Sequence, residues 1–144
     1  MNTIKQLSVF VENQPGKLAE LTRLIADAGI DLRTLSLADT RDFGILRIIV
    51  NKPDEAEKLL TDNGWIFKTA DVIGVKVPDR PGGVAAVLEA ITAANVNVEY
   101  MYAFVNRIPG RADTVFRVDD IETTLEALRS AGIDILPAEE AYTI

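Results

Sequence analysis

Apolar positions along the chain follow two rhythms, and the change from one to the other occurs twice. The runs "LSVFV" and "IGVKV" are short and rich in β-branched residues, and they read as strands. Each is followed by a stripe at helical spacing. The first stripe is Leu18, Leu21, Ile25 and Ala28; the second is Val84, Val87, Leu88, Ile91 and Ala94. Pro15 and Pro81 suit a first helical turn, where a missing N–H is harmless. Gly29 and Asn95 stand at the helix exits, and both tolerate a left-handed backbone. "IDLRTLSL" with "FGILRIIV", and "VNVEYMYAFV" with "DTVFRVD", then predict hairpins. A second helix is predicted over 53–63, opening on Pro53, Asp54 and Glu55. Its counterpart spans 120–131, after Asp119 and with Glu122 placed for a capping box. Gly64 and Gly132 end these helices, and "WIFKT" and "IDILP" supply a last strand each.

The recurrence is a duplication. Pro15 maps onto Pro81 and Gly16 onto Gly82, a shift of 66 residues. The same shift pairs Val9 with Val75, Val11 with Val77, Ala19 with Ala85, Ile25 with Ile91 and Ala28 with Ala94. Two copies at so long a period fit tandem modules better than a solenoid. The predicted class is α+β, two ferredoxin-like βαββαβ modules over 1–70 and 71–144. Each should be an antiparallel sheet with both helices on one face. "EEAYTI" is left over at the end and reads as an extra strand closing a sheet edge.

Composition narrows the chemistry. The chain has 144 residues, 48% hydrophobic and 26% charged, with net charge −7 and no basic stripe. Nucleic-acid binding is therefore not expected. No apolar run is long enough to span a membrane, and the N-terminus lacks the layout of a secretion signal, so a cytoplasmic location is expected. There is no Cys and no His, which removes thiolate nucleophiles, the usual general base and the commonest metal ligands. An enzyme would have to run on carboxylates or Lys17, and no dense acid–base cluster supports one. No metal or cofactor is expected.

The Pro-Gly corners carry the remaining chemistry. A helix start leaves N–H groups unpaired and attracts carboxylates. Gly16 and Gly82 lack a Cβ, and Gly83 extends that freedom. Asn13 and Asp79 precede the corners, while Asp31 and Asn97 hold one repeat position after the first helix. Together they offer partners for the carboxylate and the ammonium of an amino acid. A cap at the corner and a polar strand start are the plainer readings of the same residues.

The segments "VFVENQPGKLAELTRLIADAGIDLRTLSL" and "VKVPDRPGGVAAVLEAITAANVNVEYMYA" resemble the opening of an ACT domain, twice over essentially the whole chain. ACT domains are small regulatory modules of amino-acid biosynthetic enzymes such as phosphoglycerate dehydrogenase, aspartokinase and the acetolactate synthase small subunit. They pair and bind amino-acid effectors at the interface. The resemblance implies contacts from Asn13, Gly16, Lys17 and Leu18 with Asp31, and from Asp79, Gly82, Gly83 and Val84 with Asn97. Asp79 replaces an Asn-like donor and Asp31 stands opposite Asn97 in the repeat, so the two sites should differ. The implied function is a non-catalytic regulatory protein that binds a free amino acid. The alternative is a subunit that docks on a metabolic enzyme, such as an acetolactate synthase-type catalytic chain.

Four other features are structural on this reading. "DFG" at 42–44 is a hairpin turn. Arg47 and Arg117 are solvent-facing strand residues. Asp119, Asp120 and Glu122 cap a helix rather than bind a divalent ion. Tyr100, Tyr102 and Phe104 share one face of a strand and seek cover, which implies a homodimer.

Overall fold

The computed structural model describes residues 2–39 and 41–144. The chain divides into two compact units. One comprises Lys5–Ala70 with Thr143; the other comprises Asp71–Tyr142 with the N-terminal residues through Ile4 and Ile144.

In the first unit β1 (Ile4–Glu12), α1 (Lys17–Asp27), β2 (Leu32–Asp39), β3 (Phe43–Val50) and α2 (Pro53–Asp62) follow in order, and β4 (Phe67–Pro78) begins. β3 pairs antiparallel with both β1 and β2, so that Leu46 lies opposite Val9 on one side and Leu37 on the other. The Phe10 N–H donates to the Ile66 carbonyl at 2.9 Å, which seats the approach to β4 beside β1. Alternate residues of a strand share a face. Leu7, Val9 and Val11 therefore point together, and they form one core with Leu46, Ile48 and Val50 of β3, Leu21 and Ile25 of α1, and Ala56 and Leu60 of α2. Both helices cover the same face.

The second unit repeats the plan with the rest of β4, α3 (Gly83–Ala93), β5 (Val98–Ala103), β6 (Arg111–Val118), α4 (Ile121–Ser130) and β7 (Ile135–Leu136). Its strands run β5-β6-β4-β7, all antiparallel. Val75, Val77, Val87, Ile91, Phe116, Val118, Leu125 and Leu128 form its core. The predicted α+β class, two tandem βαββαβ modules with helices on one face, is the fold.

Several local expectations are corrected. "WIFKT" and "IGVKV" are not separate strands; β4 runs unbroken through Phe67–Pro78 because no Gly or Pro interrupts "KTADV". Pro15 and Pro81 stand just outside their helices, whose N-caps are Gly16 and Gly82 at φ 87. The cap of α4 is Asp120 rather than Asp119, and it accepts from the Thr123 N–H at 3.0 Å. Glu122 is then the second helical residue, one short of the capping-box position. Asp120→Ala should lower the melting temperature by a few degrees, because one helix-start donor loses its acceptor; differential scanning calorimetry measures it.

The C-terminal segment is not a strand. Residues Ala138–Ala141 form a short helix, α5. Pro137, at φ −66, cannot donate to a sheet ladder, and Glu139 and Glu140 follow in the first turn. Ala138 and Ala141 are buried. Lys76 alternates with the core residues Val75 and Val77 and so stands on the helix-free face. Glu140 accepts there from Lys76 Nζ and from the Arg111 guanidinium, both at 3.2 Å. Arg111 also grips Asp113 through two bonds, at 3.0 and 2.7 Å. Phe104 is itself only 7% exposed, so it does not seek cover, and Tyr100 stacks on Tyr102 with ring centroids 6.5 Å apart.

Candidate functional site

The two corners are built alike, bond for bond. Asn13 N–H donates to the Asp42 carbonyl and Asp79 N–H to the Gly110 carbonyl, each at 3.1 Å. Lys17 N–H closes a turn onto Gln14 at 3.3 Å, and Gly83 N–H closes one onto Arg80 at 3.0 Å. Gly16 and Gly82 share the same left-handed φ of 87. A Cβ on either would meet nothing within 4 Å, so these glycines serve backbone conformation rather than space. Gly83 is different. A Cβ there would lie 2.1 Å from the Pro78 carbonyl oxygen, so its helix rests directly on the strand.

Because Lys17 and Gly83 donate within the turn, the free donors lie one step further along. The N–H groups of Leu18 and Ala19, and of Val84 and Ala85, make no hydrogen bond among the described residues. Leu18 and Val84 are exposed beside them, at 38% and 39%. In the first unit Asn13, Gln14 and Leu18 border a pocket of about 60 Å³ with Leu37, Asp39 and Gly44. That is well below the roughly 300 Å³ or more of a usual small-molecule pocket.

Asp31 and Asn97 are held at the opposite ends of the first helices. Asn51 Oδ1 accepts from Asp31 N–H at 2.8 Å and returns its own N–H to the Asp31 carbonyl. Asp119 and Asn97 make the same reciprocal pair, at 3.1 and 3.3 Å. The Asp31 carboxylate lies 3.2 Å from Arg33, whereas the Asn97 amide makes no hydrogen bond among the described residues. α1 and α3 have eleven residues each, so about 16 Å separates corner from exit. The structure thus brings Asn13, Gly16 and Leu18 together, and likewise Asp79, Gly82 and Val84. It does not bring Asp31 or Asn97 to the corner of its own module. Lys17 turns toward Glu20, at 3.7 Å.

Sequence reasoning did not single out Asn51, and it read Asp119 only as a helix cap. Their signal was available: both follow the third strand of a repeat, at a shift of 68 rather than 66. "DFG" proves to be the end of the β2–β3 connection, with Asp42 bonded to the corner. Arg117 is held by Glu99 at 3.2 Å and the Asp71 carbonyl at 2.7 Å.

Two tandem βαββαβ modules with matching corners define the class of fold. The ACT domain pair matches residues 2–143, and the chain belongs to that family. It is similar to the solved protein BT0572 from Bacteroides thetaiotaomicron, with 40% identity, TM-score 0.93, and 99% of this chain and 97% of that one covered. In fold it also resembles the ligand-free regulatory subunit of aspartate kinase from Thermus thermophilus, at 17% identity and TM-score 0.63 over 91% and 93% of the two chains. The corresponding subunit from Thermus flavus matches at 15% and 0.61, over 92% and 94%. No curated protein matches the chain. Among the described residues no helix is long and apolar enough to cross a membrane.

Proposed function

We propose that this chain is a non-catalytic sensor of a free amino acid. The ligand's carboxylate binds the free N–H groups at a corner, and a second module supplies the exit residue that completes the site. The observation that carries this reading is the pair of unpaired N–H groups at each helix start, repeated with the same turn and the same φ. The distance along α1 and α3 supports a two-module site, since no module can reach its own corner with its own exit residue. Asp79 at the second corner can only accept, which suits an ammonium; Asn13 at the first can also donate. Among the described residues the Asn97 side-chain amide makes no hydrogen bond, whereas Asp31 faces Arg33, so Asn97 is the more available exit partner.

A thermal-shift screen of the twenty amino acids tests the function. At a ligand concentration one hundred times Kd, binding should stabilise the chain by about 2.7 kcal/mol. Asn97→Ala and Asp79→Ala should each weaken binding about tenfold or more while leaving the apo melting temperature unchanged. A screen in which no amino acid raises the melting temperature sinks the reading. Unaltered affinity in Asn97→Ala, Asp31→Ala and Asp79→Ala would move the site away from these residues.

A further inference from the structure

Equivalent strand positions in the two repeats carry different chemistry. Lys76 N–H donates to the Asp134 carbonyl at 2.9 Å, as Phe10 N–H does to Ile66. Arg111 lies opposite Pro78 in the sheet register, as Phe43 lies opposite Glu12. Phe10, Phe43 and Trp65 therefore hold the positions that Lys76, Arg111 and Ile133 hold in the second unit. There Lys76 and Arg111 clasp Glu140 of the chain's own C-terminal helix. In the first unit Phe10 and Phe43 instead border a pocket of about 260 Å³ that reaches α1, lined also by Trp65, Glu12, Lys17 and Glu20.

Its opening has a local cause. Glycine at 83 lets α3 settle on the Pro78 carbonyl, where a Cβ would stand at 2.1 Å. Lys17 holds the equivalent position in α1 and carries a Cβ, which could not approach Glu12 so closely, and both residues line the pocket. The charges also differ between the repeats. Lys76 and Arg111 meet Glu140 and Asp113 in the second unit, a balanced set, whereas two carboxylates and one ammonium line the pocket of the first. Lys17 is matched by Glu20 at 3.7 Å, and the Glu12 carboxylate makes no ion pair or hydrogen bond among the described residues.

We infer that this pocket binds a small organic ammonium ion, with its apolar body against Phe10, Phe43 and Trp65 and its charge matched by Glu12. Aromatic walls attract cations through the ring quadrupole, most strongly at tryptophan. The inference does not rest on the corner reading, because none of its contacts requires a second module.

Trp65 is the chain's single tryptophan, so its fluorescence reports occupancy directly. The full chain is titrated with cyclohexylmethylamine and, separately, with cyclohexanecarboxylate; both are transparent at the wavelengths used. The amine should give a saturable change in emission and the carboxylate none. Glu12→Gln and Phe43→Ala should each weaken the amine about tenfold. Glu126→Gln, an exposed charge change on α4 outside the pocket and both corners, should not. Circular dichroism checks that each variant is folded, and the two substitutions act from different walls. Equal responses to both probes, no response to the amine, or amine affinity that survives both substitutions overturns the assignment.

Discussion

Gly83→Ala should be among the most damaging single-methyl additions in the chain. The new Cβ would stand 2.1 Å from a backbone oxygen, and neither partner is the free end of a flexible side chain. Relief requires α3 to lift from β4, which opens the core around Val77 and Val87. A loss of about 4 kcal/mol is expected, in the range reserved for overpacking of this severity. Lys17→Ala at the counterpart position should change stability by no more than about 0.5 kcal/mol. Urea unfolding of the two variants makes the comparison. A Gly83→Ala loss below about 1 kcal/mol would show that α3 does not rest on Pro78.

Arg111→Ala should cost nearly as much, for an electrostatic reason. The Asp113 side chain is only 3% exposed, and Arg111 is its ion-pair partner through two short bonds. Removing the guanidinium strands that carboxylate and takes one of the two cations from Glu140. A loss of about 3–5 kcal/mol is expected. Replacing both partners together, Arg111→Met with Asp113→Leu, should recover most of it, because no buried charge is then left alone. Failure of the double variant to recover stability would mean that shape rather than charge dominates there.

Glu140 adds a pH signature. Burial pushes its carboxyl up, but hydrogen bonds from Lys76 and Arg111 outweigh that and hold it below its ordinary value of 4.5. A depressed folded value stabilises the fold at pH above the unfolded value and ceases to do so as pH falls through the folded one. The difference in melting temperature between the native chain and Glu140→Gln should therefore be full at neutral pH. It should shrink to nothing in acid below the ordinary glutamate range. A difference that persists unchanged in strong acid would assign the effect to packing of α5.

What the sequence could convey depended on how far apart the decisive residues lie. The helix exits were legible because Gly29 and Asn95 must adopt φ 73 and 58, a demand few residues meet. The corners were legible because Pro-Gly recurs at one shift with the same apolar stripe behind it. The run "KTADV" read as a connection because its residues are mostly polar, yet β4 passes straight through it. No local signal distinguishes a polar loop from a polar stretch held extended by neighbouring strands. α5 was missed for a related reason. Four residues cannot show a helical period, and the contacts that hold Glu140 come from Lys76 and Arg111, far off in the chain. The pocket of the first unit was equally hidden, since Phe10, Phe43 and Trp65 meet only after the sheet forms. Gly83 looked like room for a ligand; in the structure it is contact with Pro78.

The C-terminal clasp also bears on how the two halves can evolve. Duplication begins with interchangeable copies, but Lys76, Arg111, Asp113 and Glu140 now depend on one another in the second. A lone change of Arg111 back to an aromatic, as at Phe43, would strand a buried acid. Loss of Glu140 alone would take from Lys76 its ion-pair partner and leave Arg111 with Asp113 only. Reversion by single steps thus crosses a fitness valley, and recombination that swapped the halves would leave α5 against Phe10 and Phe43, with no cation to receive its glutamate. The divergence works as a ratchet, and it should preserve the order of the two modules long after their sequences have drifted apart.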